Sequence, residues 1–139
     1  MMNEKTRQDR WFIYVVAAFQ SFIGLGGVAG GLGLVLDPSG DNLGLPLAWL
    51  SRSPFADYLI PGLVLLVVIG GGTLLGGMLT LRRHRYAAEA AMALGGLLML
   101  WIVAQVWWIG LSHWLQPVYF AFGVVELSLG QRMGKLRGI

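Results

Sequence analysis

No cysteine occurs in this chain of 139 residues, which excludes disulfides, thiolate metal sites and thiol redox chemistry together. Charge is scarce too. Asp, Glu, Lys and Arg make up 12% of the residues, where a soluble domain carries about 25%. Enzyme signatures are missing: the sequence has no Gly-rich loop ending in Lys-Ser or Lys-Thr, no HExxH pair and no GxSxG turn. The phosphate cradle, the zinc site and the exposed nucleophile that those motifs build therefore have no residues to build them. Convergent polar groups are few, which weighs against a catalytic centre of any kind.

What is abundant points to a bilayer. The chain is 56% hydrophobic and holds 21 Gly and six Trp, and both residue types are favoured in or beside spanning helices. Its pI is about 9.7, but the basic residues stand in short clusters beside apolar segments. That distribution suits anionic headgroups and the positive-inside rule, and does not form a nucleic-acid face.

Four apolar segments predict an all-α membrane protein, a single domain of four transmembrane helices. They run over residues 11–36 (Trp11 to Leu36), 58–81 (Tyr58 to Leu81), 86–109 (Tyr86 to Ile109) and 116–131 (Gln116 to Gln131). About 20 residues cross a hydrocarbon core of about 30 Å, so the first three are long enough. The fourth covers only about 24 Å at 1.5 Å per residue and must draw on Trp114 and Leu115 or thin the bilayer. Span one follows a charged start, "MMNEKTRQDR", yet its apolar run is too long for a signal-peptide core, so it reads as a retained helix.

Orientation follows from charge. Lys5, Arg7 and Arg10 precede span one; Arg82, Arg83 and Arg85 separate spans two and three; Arg132, Lys135 and Arg137 follow span four. With four spans all of these share one side, and Arg52 alone faces the other, in a loop that also carries Asp37, Asp41 and Asp57. Both termini and the "RRHR" turn are then cytoplasmic, in what reads as a bacterial cytoplasmic membrane. Three spans would break this segregation.

Small residues four apart supply faces for close helix approach: Gly26/Gly30 and Gly27/Gly31 in span one, Gly72/Gly76 in span two, and Ala87/Ala91/Gly95 in span three. They predict a glycine-rich bundle, with homo-oligomer faces as the alternative use. The outer loop, residues 37–57, is predicted to be ordered. "DPSGDN" reads as consecutive turns, "PLAWL" as a short interfacial helix anchored by Trp49, with Pro46 and Pro54 at first helical positions and Ser53 as an N-cap. Pro61 should kink the start of span two.

Few polar residues remain inside the spans. Glu126 lies about 9 Å from the inner boundary, Glu89 about 6 Å in, and Gln20 near the midplane, at 1.5 Å per residue from the flanking arginines. Glu89 can meet Arg85 at i, i+4 and lean toward water. Glu126 has no basic residue three or four positions away, and an intramembrane carboxylate normally faces a bundle interior. Two roles stand for it. One is a structural tether, hydrogen-bonded to Gln20 or Ser128 or paired with the inner turn; the other is a ligand, ion or proton site including Gln20 and Glu89. At the outer boundary, Trp49, Gln105, Trp108, His113, Trp114, Gln116 and Tyr119 form an aromatic rim, with Trp101 and Trp107 beside Gln105. The rim either anchors helices at the headgroups or lines a pocket for a quinone, carotenoid or lipid headgroup. His113 is a candidate axial ligand to a porphyrin-type metal, although no second histidine lies within reach of it.

The glycine-rich first span, the outer-loop "LGLP" and "LIPGLVLLVVIGGGTLLGG" followed by a basic turn resemble DoxX-like small four-helix membrane proteins over roughly residues 20–100. The resemblance implies a four-helix bundle and association with membrane redox complexes, and it assigns no site residue. Three functions are compatible with these observations. The first is a non-catalytic accessory subunit or binding module that contacts a larger membrane complex, a lipid or an apolar cofactor. The second is a small oligomeric transporter or channel component using Glu126, and the third a membrane enzyme acting on a lipid.

Overall fold

A computed structural model of the chain describes residues 4–111 and 113–136. Arg137 and the side chains of Lys5 and Arg7 lie outside the described residues. Among those described there are helices and no strand. We number the long helices α1 (Glu4–Leu36), α2 (Leu59–Leu81), α3 (Ala87–Ile109) and α4 (Leu115–Leu136). Gln8–Leu36, Leu59–Leu81 and Ala87–Ile109 are long and apolar enough to cross a membrane. The 22-residue α4 is not among them, because Glu126, Gln131, Arg132 and Lys135 dilute its apolar run. It is nevertheless six residues longer than the segment read from hydropathy (22 against the 16 of 116–131).

The helices run up and down, so that two turns and three hydrophobic clusters define a basic end and a loop end. At the basic end Val16, Ala88, Ala91 and Met133 are buried together, and Arg132 stacks over the Phe12 ring at 5.1 Å. The turn between α2 and α3 is short because Arg83 adopts a left-handed φ of 51°, which lets the His84 N–H donate to Leu79 O at 2.9 Å. Ile23, Ile69, Leu98 and Ile102 fill the middle. Leu34, Leu50 and Tyr58 form the third cluster at the loop end.

Backbones come close where a side chain is missing. A Cβ added at Gly27 would lie 2.8 Å from Gly70 Cα, and one at Gly31 2.5 Å from Leu66 N. Gly95 of α3 meets Leu127 N and Gly123 O of α4 in the same way, at 2.6 and 2.7 Å. Some small residues do other work than their spacing suggests. Gly72 and Gly76 face the Leu94 side chain, while Gly62 and Gly70 make the contacts of α2 with α1.

Pro61 lies in the first turn of α2, and three residues later the helix widens into a π-helical stretch, Val64–Gly71. The proline removes a donor from the first turns, and the wider i→i+5 ladder carries the helix past Gly27 and Gly31. The loop, residues 37–58, is ordered by its own polar groups. The Asp37 carboxylate accepts from Ser39 Oγ at 2.6 Å and from Asn42 N at 2.9 Å, and Gly40 turns the chain at φ 81°. "LAWL" forms a 3-10 helix, Leu47–Leu50, with Pro46 just before it instead of inside it. No helix follows Pro54, and Ser53 does not cap one: its Oγ donates to Leu50 O at 2.9 Å and accepts from Phe55 N at 3.2 Å, closing a tight turn.

Candidate functional site

Two features stand out, a cavity at the loop end and a buried polar cluster nearer the basic end. The cavity, open on one side, has a volume of about 400 Å³, within the usual range for small-molecule sites. Its floor is the glycine face of α1, Gly26, Gly27 and Gly30, joined by Leu65 and Ile69 of α2. Trp101, Gln105 and Trp108 of α3 form one wall, and Gln116 and Tyr119 of α4 another. Trp49, Leu50, Phe55 and Tyr58 from the loop close the top. Two contacts hold that cover in place. Tyr58, 5% exposed, donates its hydroxyl to Pro46 O at 2.7 Å, and Phe55 packs edge-on against Trp108 with centroids 5.4 Å apart. Removal of the Tyr58 side chain from water raises its pKa above the ordinary phenol value.

The rim residues read from sequence mostly converge here. Trp49, Gln105, Trp108, His113, Gln116 and Tyr119 all line the cavity, whereas Trp114 is 67% exposed and points elsewhere. His113 has a further structural task. Its Nδ1 accepts from Leu115 N at 3.1 Å, and the Gln116 side-chain oxygen accepts from His113 N at 3.3 Å. The pair satisfies donors at the start of α4 reciprocally, as a capping box does. Among the described residues, no three His, Cys, Asp or Glu side chains gather to hold a metal ion.

The polar cluster joins three helices. Gln20, Thr80 and Glu126 are each fully buried. Gln20 Nε2 donates to Glu126 Oε2 at 3.2 Å, and Thr80 Oγ1 donates to Gln20 Oε1 at 2.7 Å. Thr80 Oγ1 also lies 3.0 Å from Gly76 O, but a hydroxyl has one proton and the shorter contact takes it. Gly76 and Gly77 clear the space, since Cβ atoms there would stand 3.3 and 3.5 Å from the Gln20 side chain. Of the two hydrogen-bond partners expected for Glu126, besides a basic residue of the inner turn, Gln20 is the one in place; Ser128 is exposed. Glu126 Oε1 is buried with no hydrogen-bond partner among the described residues. Glu89 does not join the group and is exposed in the first turn of α3. Thr80 also borders a smaller hollow at the basic end, about 140 Å³, with Asp9, Arg83 and His84.

Sequence reasoning missed Thr80 and named Trp101 only as a neighbour of Gln105, outside the rim. A threonine in an apolar helix carries no signal of its own, because it normally bonds its own i−4 carbonyl. Trp101 was hidden among four tryptophans that all suit a headgroup belt. No family model, no curated protein and no solved structure matches the chain, so the functional reading rests on these residues themselves.

Proposed function

We propose that the protein is a non-catalytic integral membrane protein of four spans that binds a lipid or an apolar cofactor in its loop-end cavity, as a binding module or as an accessory subunit of a larger membrane complex. The cavity carries this reading. It is lined by four helices and the loop, its walls are aromatic and aliphatic, and among the described residues no Asp, Glu, Lys or Arg lines it. A second copy of the chain is the alternative partner for the outward leucine faces, such as Leu25, Leu32, Leu75 and Leu100.

Charge supports α4 as the fourth span. It measures about 33 Å at 1.5 Å per residue, it buries its one acidic side chain, and with it Arg82, Arg83, Arg85, Arg132 and Lys135 gather at the basic end. By the positive-inside rule that end is cytoplasmic, which puts the cavity in the outer leaflet. Close backbone contact at Gly27, Gly31 and Gly95 supports a glycine-rich bundle, the architecture that the resemblance to DoxX-like proteins also implies.

The test is native mass spectrometry, with an absorption spectrum, on protein released gently from its own membranes. A stoichiometric adduct of defined mass, lost in Gly30→Leu, is expected, because Gly30 borders the cavity and leucine would fill it. Protein that carries only exchangeable bulk lipid, equally in both forms, would refute the reading.

Glu126 Oε1, buried with no hydrogen-bond partner among the described residues, favours a second reading, a transporter or channel component with Glu126 as a proton- or cation-sensitive site. Proton or cation flux in proteoliposomes that disappears in Glu126→Gln would establish it. Flux unchanged by that substitution, or no flux at all, removes it.

A further inference from the structure

The open side of the loop-end cavity lies between α1 and α4. A Cβ added at Gly26 would stand 2.8 Å from the Tyr119 hydroxyl, so the two helices touch there. One turn nearer the loop, a Cβ at Gly30 would meet Leu65 Cδ2 at 3.2 Å and nothing of α4 within 4 Å. At Gly33 the nearest atoms belong to Leu43 of the loop. A gap therefore opens over Gly30, bounded by Tyr119 on one side and Leu43 on the other, and all three residues line the cavity. The loop cover, by contrast, is held shut by the Tyr58 hydroxyl on Pro46 O and by Phe55 on Trp108. Gly30 is about 9 Å from the end of α1, which on the four-span reading sets the gap among acyl chains.

Polarity changes along the cavity. Gln105, His113 and Gln116 stand within about 6 Å of the loop-end termini of α3 and α4, and they line the cavity with hydrogen-bonding groups. The Gln105 amide donates and accepts; His113, whose Nδ1 accepts from Leu115 N, keeps Nε2 as the donor of its neutral ring. Gly26 and Leu98 lie about 15–17 Å in from the ends of α1 and α3, and with Leu65, Ile69 and Ile102 they make the inner end apolar.

We infer that the cavity takes up a glycerolipid of the outer leaflet sideways, through the gap between α1 and α4. It holds the lipid in the orientation it has in the bilayer, with an acyl chain toward Leu98 and the ester oxygens toward Gln105 and His113. The inference rests on the binding reading above. A gap at this depth meets hydrocarbon and not water, so what enters is already dissolved in the membrane. The polar-to-apolar order along the cavity is that of a lipid from ester to chain end. Tyr119, at the edge of the gap, can donate its hydroxyl to an ester oxygen or accept from a glycerol hydroxyl. The headgroup beyond the glycerol emerges through the open side, so the lining makes no demand on its charge.

The experiment uses the full-length protein in bilayers of dioleoyl phosphatidylcholine doped with a photoreactive phosphatidylcholine. One probe carries a diazirine at the methyl end of an acyl chain, the other next to the ester. After illumination the labelled residues are read by peptide mass spectrometry. The chain-end probe should label Leu65, Ile69 and Leu98, and the ester-end probe Gln105 and Trp108. Leu100, 64% exposed on α3, reports labelling from bulk lipid. Gly30→Trp places an indole in the gap and should abolish the labels inside the cavity while that on Leu100 persists. Gly30→Leu, a smaller substitution, takes its place if the tryptophan variant fails to fold. Inside labels that survive both substitutions undiminished overturn the sideways entry, and a reversed order of the two probes overturns the orientation. No inside label from either probe overturns the inference as a whole. The native mass spectrum then separates it from the binding reading: a defined adduct of another mass leaves that reading standing, and no adduct removes both.

Discussion

Gly27 of α1 and Gly70 of α2 touch backbone to backbone: a Cβ at Gly27 would lie 2.8 Å from Gly70 Cα, and one at Gly70 would lie 2.6 Å from Val28 N. Backbone atoms cannot rotate aside as a side chain can, so any larger residue must push the two helices apart. In lipid, where apolar burial gains little, such close approach is a main source of helix association.

Gly27→Leu should therefore destabilise the protein by at least about 1–3 kcal/mol, the usual cost of overpacking. Gly96 supplies the control, because a Cβ there meets nothing within 4 Å. Gly96→Ala should be neutral or stabilising by up to about 1 kcal/mol, through helix propensity. Thermal unfolding of both variants in one detergent checks the contrast; equal melting temperatures would show that the α1–α2 contact does not limit stability.

Thr80→Val keeps the shape of a buried side chain and deletes the donor to Gln20 Oε1. The expected loss is about 1–3 kcal/mol, the penalty for stranding a buried polar atom. In a double-mutant cycle with Gln20→Leu the two losses should fall short of additive by about 0.6–1.7 kcal/mol, the range for polar pairs in membrane helices. Strict additivity would mean that the two side chains are not coupled in solution.

Tyr58→Phe removes the hydroxyl that holds Pro46 and leaves the ring in place. It should cost about 0.5–1.5 kcal/mol and speed amide exchange in Leu47–Leu50 while leaving α3 unchanged. Uniform acceleration across the molecule would instead mark Tyr58 as part of the global core.

Asp37 gives the loop a pH dependence. Hydrogen bonds from Ser39 and from the Asn42 backbone hold its carboxyl below the usual 3.8. A carboxylate whose pKa is depressed by folding contributes stability that is present above the unfolded value and lost as pH falls through the folded one. Carbon-13 titration of the Asp37 carboxyl should give a midpoint below 3.8, and the Asn42 amide should lose protection from exchange only below that midpoint. In Ser39→Ala the midpoint should rise toward the ordinary carboxylate value.

How much of this was legible beforehand varied with the kind of signal. Hydrophobic length located the helices, because desolvation of a spanning run acts residue by residue. Gln20 and Glu126 were conspicuous, since polar groups in apolar runs need partners, and they proved to be each other's. The rim residues were readable as a group, but their convergence depended on how the loop folds back over α3. Ser53 and Pro54 misled: serine before proline looks like a helix start, but here Ser53 Oγ bonds Leu50 O and Phe55 N in a turn, and Phe55 packs on Trp108. The π-helical stretch in α2 had no advance signal. Its Leu65, Leu66 and Gly70 stand against Gly27 and Gly31, contacts that the composition of "VLLVVIGG" does not reveal.

The Gln20–Glu126 bond links positions 106 residues apart, and that spacing has a meaning in time. A ribosome adding about 5–20 residues per second delivers Glu126 roughly 5–20 s after Gln20. Thr80 is made earlier, so its bond to Gln20 can form before the one to Glu126. The last helix to be made thus completes a bond begun by the first.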